Sequence, residues 1–166
     1  MYDFKPDTAP SAQELYRQLH DAAKALTDGE PDGIANMANV AALIWEFVPD
    51  LNWAGFYRIA PDRENGREEL VLGPFVGRPA CIRIPLGQGV CGAAAESGET
   101  QRVEDVHAFP GHIACDATSR SELVVPIMQE GRVIAVIDLD SPVPARFTLE
   151  DAHDIEALAQ LLSDRV

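Results

Sequence analysis

Between residues 52 and 140 the apolar side chains alternate with a period of two, and on either side of that stretch they recur at helical spacing. Residues 52–60 show the strand pattern most clearly: Trp53, Gly55 and Tyr57 point one way, Ala54 and Phe56 the other. Short strands are expected at 69–73, 80–85 and 100–103, and 122–128 with 133–140 form a hairpin around Gln129-Glu130-Gly131. Strands joined by such short turns pair antiparallel. Ser11 and Glu14 read as a capping box opening a helix over 11–27, with Leu15, Leu19, Ala22 and Leu26 on one face. A second helix over 33–48 carries Ile34, Met37, Ala41, Ile44 and Val48 on a stripe flanked by Val40, Leu43 and Phe47, and Thr148 to Asp151 cap a last helix bearing Ala152, Ile155, Ala159 and Leu162. A short helix of small residues, 89–97, and an aperiodic loop, 105–120, remain. The expected fold is α+β: a mostly antiparallel sheet of about six strands, N- and C-terminal helices on one face, and a loop-covered pocket on the other.

Composition narrows the function. The 166 residues are 46% hydrophobic and 24% charged, values of a globular chain rather than a disordered one, and they predict an arm, 1–10, ahead of a single domain, 11–166. The formal net charge of −14 repels phosphate backbones, which argues against nucleic acid and anionic membranes as partners. No apolar run approaches the ~18 residues of a membrane span, and MYDFKPDTAP lacks the basic start and apolar core of a secretory signal. The expected location is therefore the cytoplasm, where three cysteines are core thiols, ligands or reactive groups rather than structural disulfides.

Cys81, Cys91 and Cys115 are too widely spaced for a zinc ribbon. Cys91 lies among Gly, Val and Ala, where a buried thiol serves as a small hydrophobe. Cys115 lies in the polar loop beside Asp116, a setting that favours redox work, since a thiolate there can reach a substrate and then a second thiol. His107, His112, Cys115 and Asp116 are a rival metal set, but their spacing fits no standard pattern. Gly87-Gln-Gly89-Val-Cys-Gly92 fits the dinucleotide fingerprint G-x-G-x-x-G, yet the unit is too short for a βαβ crossover. These glycines read as a tight turn into a short helix whose N-terminal amides can face an anion such as a carboxylate.

Asp138 and Asp140 end a strand on the same side as Ile134 and Val136, and Glu122 opens the partner strand on the side of Val124. Pairing about 129–131 brings Glu122 close to both aspartates. Clustered carboxylates beside apolar residues raise each other's pKa, and such a group can bind an ammonium and keep a proton for acid catalysis. A solvated hairpin end is the competing reading at this point.

Asn52-Trp-Ala-Gly-Phe-Tyr57, Leu72-Gly-Pro-Phe-Val-Gly-Arg-Pro-Ala-Cys81-Ile, Gly87-Gln-Gly-Val-Cys91-Gly, His112-Ile-Ala-Cys115-Asp, Ser121-Glu-Leu-Val-Val-Pro126 and Asp138-Leu-Asp-Ser-Pro142 together resemble the free methionine-(R)-sulfoxide reductases, a catalytic branch of the GAF domains. The likeness runs from about residue 10 to the C-terminus, with the three cysteines in the family's order and spacing. It implies a GAF-like fold and reduction of free methionine (R)-sulfoxide. By this resemblance Cys115 is the attacking cysteine, Cys81 its principal resolving partner and Cys91 a second, alternative thiol. Trp53 and Tyr57 line the site against the methyl-sulfur end, and Glu122, Asp138 and Asp140 hold the amino group and the polarised sulfoxide. Thioredoxin is the implied reductant, no metal or organic cofactor is implied, and a homodimer through the terminal helices accords with family habit. A non-catalytic GAF ligand-binding module and a cysteine redox sensor are the alternatives.

Overall fold

The computed structural model describes residues 4–6, 10–62, 66–111 and 117–166. Much of the expected N-terminal arm lies outside that set, though Phe4 packs against the main core. Two helices open the chain, α1 (Ala12–Thr27) and α2 (Gly33–Phe47). Strands β1 (Trp53–Pro61), β2 (Glu68–Gly77) and β3 (Arg83–Pro85) precede a short helix, α3 (Gly89–Ser97). After β4 (Gln101–Val103) and a single 3₁₀ turn come β5 (Ser121–Gln129), β6 (Arg132–Ser141) and the closing helix α4 (Leu149–Leu162).

The strands form one six-stranded sheet in the order β3-β2-β1-β6-β5-β4, and every neighbouring pair is antiparallel. Strand parity divides the apolar side chains into two layers. Ala54, Phe56, Leu123, Val125, Ile127, Ile137 and Leu139 face α1, α2 and α4, where Leu19, Ile44, Ile155 and Leu162 complete the main core. Trp53, Tyr57, Leu70, Val124 and Val136 face the other way and meet Val90, Cys91 and Ala94 of α3. The α+β arrangement with terminal helices on one face is the expected one. Among the described residues no helix is long and apolar enough to cross a membrane.

Three local expectations are corrected. Strand β2 runs through Gly73-Pro74 to Gly77 instead of stopping at residue 73. The register with β1 steps from Gly55↔Phe75 to Tyr57↔Leu72, so Gly73 and Pro74 both lie opposite Phe56 in a bulge, where a proline's missing N–H costs the ladder nothing. A second bulge, between Ile127↔Ala135 and Met128↔Val133, makes Ile134 the extra residue of β6. Ile134 therefore packs on the main core and Val133 on the pocket side, so Ile134 does not share the face of Val136, Asp138 and Asp140. At α1 the Ser11 hydroxyl accepts from the Glu14 N–H, but the Glu14 carboxylate bonds Arg17 and Gln18 rather than closing the capping box. The full reciprocal box forms at α4 between Thr148 and Asp151.

Candidate functional site

A cleft of about 530 Å³, counted out to its open mouth, lies on the sheet face away from the terminal helices. Its floor comes from the three central strands. Trp53 and Tyr57 of β1, Glu122 of β5, and Asp138 and Asp140 of β6 all line it. The hairpin register sets Glu122 opposite Asp140 and Val124 opposite Asp138, and β1 adds Trp53 opposite Asp140, so all five expected binding residues converge. Cys91, in the first turn of α3, closes the group from above.

The aromatic residues do more than line the wall. Trp53 stacks on Phe75 with centroids 5.3 Å apart and on Tyr57 at 5.9 Å. The Trp53 indole N–H donates to the Arg78 carbonyl at 3.1 Å and the Tyr57 hydroxyl to the Cys81 carbonyl at 2.9 Å. Both aromatics thus suspend the segment 78–81, with Cys81, over the cleft. Burial first, then the nearby acids and Cys91, push the Tyr57 phenol well above its ordinary pKa, so it stays a donor.

The acids occupy an unusual environment. Glu122 and Asp138 are buried, at 7% and 6% exposure. Burial, then the charges of Asp138 and Asp140, hold the Glu122 carboxyl well above the usual range, and burial pushes Asp138 up to about 7. Among the described residues, Asp138 Oδ1 has no hydrogen-bond partner. Asp151 shows the opposite outcome at another buried position. There burial is outweighed by bonds from Thr148 and Tyr16 and the nearby Arg146 charge, and its carboxyl lies below the ordinary value. An orphaned carboxylate oxygen in a cleft is a receptor for a ligand cation.

Because Asp138 binds its proton more tightly folded than unfolded, it favours the fold fully below about pH 4, and that contribution is lost as pH rises through about 7. Asp138→Asn is thus expected to raise the thermal midpoint of the ligand-free protein above pH 7, by at most about 4 kcal/mol in stability, with the gain vanishing near pH 4. Thermal unfolding of both proteins across that range checks it.

Cys91 is 4% exposed and a free thiol, with Sγ 3.9 Å from Glu122 Oε1. Its Sγ and one carboxylate oxygen each of Glu122 and Asp138 lie within 4.8 Å of one another, a spacing a metal ion would also accept. Burial, then the Asp138 and Glu122 charges, push the Cys91 thiol up, so the trio presents an S–H beside carboxylates and suits an ammonium better than a metal. Cys81 is half-buried and disulfide-bonded. Cys115 lies outside the described residues, as do His112 and Asp116 of the rival metal set.

The glycine motif makes the expected turn. Gly87 and Gly89 adopt φ of +77° and +63°, and a side chain at Gly92 would meet the Pro85 carbonyl oxygen at 2.5 Å. The turn aims the first turn of α3, from Gln88 to Cys91, into the cleft. Arg78, Gln88, Ser119 and the stacking Phe75 belong to the site but were not assigned from sequence. Arg78 and Phe75 stand in the quoted stretch 72–82; no periodic signal singled them out.

The chain matches the GAF domain family over residues 14–166. The fold and the cleft roofed by α3 define it as a GAF domain. It is 48% identical to the free methionine-R-sulfoxide reductase of Escherichia coli over 149 residues, covering 90% of this chain and 87% of that protein. It is 42% identical to the Saccharomyces cerevisiae protein of the same name over 156 residues, covering 91% and 85%. The structure of a free methionine-R-sulfoxide reductase from Neisseria meningitidis in complex with its substrate superposes with a TM-score of 0.89 at 43% identity, covering 97% of this chain and 93% of that one. The chain belongs to the free methionine-R-sulfoxide reductase family.

Proposed function

We propose that this protein reduces free L-methionine (R)-sulfoxide to L-methionine and is restored by thioredoxin. The observation that carries the reading is the buried Glu122–Asp138 pair, with Asp138 Oδ1 unpartnered among the described residues, facing a cleft walled by Trp53 and Tyr57. A free amino acid brings an ammonium to that pair, and its apolar methyl-sulfur end lies against the two aromatic rings. The first-turn amides of α3, with Arg78 at the rim, suit the α-carboxylate.

In the proposed chemistry a carboxylic acid of the cluster protonates the sulfoxide oxygen while the Cys115 thiolate attacks. Methionine leaves, and the oxygen remains on Cys115 as a sulfenic acid: the substrate sulfur is reduced by two electrons and the cysteine sulfur oxidised by two. The Cys81 thiol then condenses with the sulfenic acid, releasing water and forming a disulfide. A thioredoxin dithiol reduces that disulfide by exchange and becomes oxidised itself. A disulfide at Cys81 beside a free Cys91 supports this pairing, as does the suspension of segment 78–81 over the cleft.

The test is NADPH consumption with thioredoxin, thioredoxin reductase and the two epimers of free methionine sulfoxide. Oxidation of NADPH with the R epimer alone is expected. Substrate binding without turnover would instead make the protein a ligand-binding module, and thiol oxidation by peroxide without either would make it a redox sensor.

A further inference from the structure

We propose that Cys91 is a positioning residue, whose S–H hydrogen-bonds the Glu122–Asp138 pair and holds it ready for the substrate ammonium, rather than a second redox thiol. The proposal rests on the reading of the cleft as a free amino acid site.

Several observations converge on it. Close approach of Gly92 to the Pro85 carbonyl seats α3 tightly on the end of β3, which fixes the backbone that carries Cys91. The thiol lies 3.9 Å from Glu122 Oε1 and within 4.8 Å of an Asp138 carboxylate oxygen. The Tyr57 hydroxyl and the Trp53 indole N–H, donors on the same floor, already donate to the Cys81 and Arg78 carbonyls. A resolving thiol has to reach a sulfenic sulfur and act as a thiolate. Cys91 is buried in the first turn of a seated helix, and charging it would set a third anion against two carboxylates. In the neutral form it has the opposite effect, because its hydrogen bond favours the ionised carboxylates. Among the described residues, the charged and titratable groups that line the cleft with it are Glu122 from β5, Asp138 and Asp140 from β6, Tyr57 from β1 and Arg78 from the segment after β2.

Serine and alanine separate the two roles, since serine keeps a donor without sulfur and alanine keeps neither. In full-length protein with Cys81 and Cys115 intact, Cys91→Ser is expected to hold kcat/KM for free methionine (R)-sulfoxide within about threefold of wild type. Cys91→Ala is expected to lose about ten- to a hundredfold, mainly in KM, the range for a hydrogen bond to a charged group. In Cys91→Ala the acid limb of the pH profile moves to higher pH, because the carboxylates lose the donor that favours their ionised form; in Cys91→Ser it stays in place. Peptide mapping after turnover should show a Cys81–Cys115 disulfide in both variants. Equal damage in the two variants, or Cys91 recovered in a disulfide of the wild type, overturns the proposal in favour of a sulfur role. Wild-type kinetics in both variants overturns it as well. Thermal unfolding of both variants shows whether a loss comes from the fold. A wild type that neither binds nor reduces free methionine sulfoxide defeats the reading of the cleft itself, which is a separate result.

Discussion

A Cys115→Ser protein is expected to form no methionine, even in a single turnover without reductant. Serine at that position cannot accept the sulfoxide oxygen, so the first step of the proposed sequence has no nucleophile. Cys81→Ser is expected to behave differently. It should release close to one equivalent of methionine and then stall, because the sulfenic acid forms but lacks the thiol that condenses with it. Quantifying methionine against enzyme in a reductant-free reaction separates the two variants. One equivalent of methionine from Cys115→Ser would remove Cys115 from the chemistry. Multiple turnovers from Cys81→Ser with thioredoxin present would move resolution to another thiol.

The second large effect concerns the ammonium. In the proposed binding mode the amino group meets the buried Glu122 and Asp138, and acetylating it removes the positive charge and adds bulk there. Leaving buried carboxylates without their counter-charge costs on the order of 3–5 kcal/mol, several hundredfold or more in kcat/KM. N-acetylmethionine sulfoxide and peptide methionine sulfoxide are therefore expected to be very poor substrates beside the free R epimer. In Glu122→Gln, Asp138→Asn and Asp140→Asn the efficiency on the free amino acid should fall sharply, and the ratio of free to acetylated substrate should narrow. The readout is that ratio in wild type and the three variants. Equal turnover of both substrates by wild type would mean that these carboxylates do not read the ammonium.

The convergence of Glu122, Asp138 and Asp140 was readable because a hairpin fixes register from its turn, and parity then assigns each side chain a face. Parity failed at Ile134, where a bulge adds one residue without a signal in the pattern. Gly73-Pro74 read as a strand end, and only the pairing of β1 with β2 shows that a bulge absorbs both residues. On α1 the apolar spacing selected Leu15, Leu19, Ala22 and Leu26, all of which pack on the main core, but missed buried Tyr16, whose hydroxyl donates to Asp151 at 2.6 Å. On α2 Ile34 is 46% exposed while Asn36 is buried, its amide donating to the Glu30 and Arg165 carbonyls. Both polar burials depend on partners from distant parts of the chain, which local periodicity does not contain. For a similar reason the local sequence does not decide between packing and redox for Cys91. A nine-residue helix of small side chains has little amphipathic contrast, and the thiol's neighbours come from β5 and β6.

The strand order has a further consequence for how the cleft comes into being. β1 pairs directly with β6, so the aromatic wall and the acidic floor meet only when a loop of roughly 80 residues closes, a slow and non-local event. In the unfolded chain these acids lie in water and titrate as ordinary carboxylates. Once folded, they hold protons more tightly. Near neutral pH the folding chain therefore takes up protons from solvent, and closing the sheet sets the aromatic wall beside the acid cluster that the hairpin holds together.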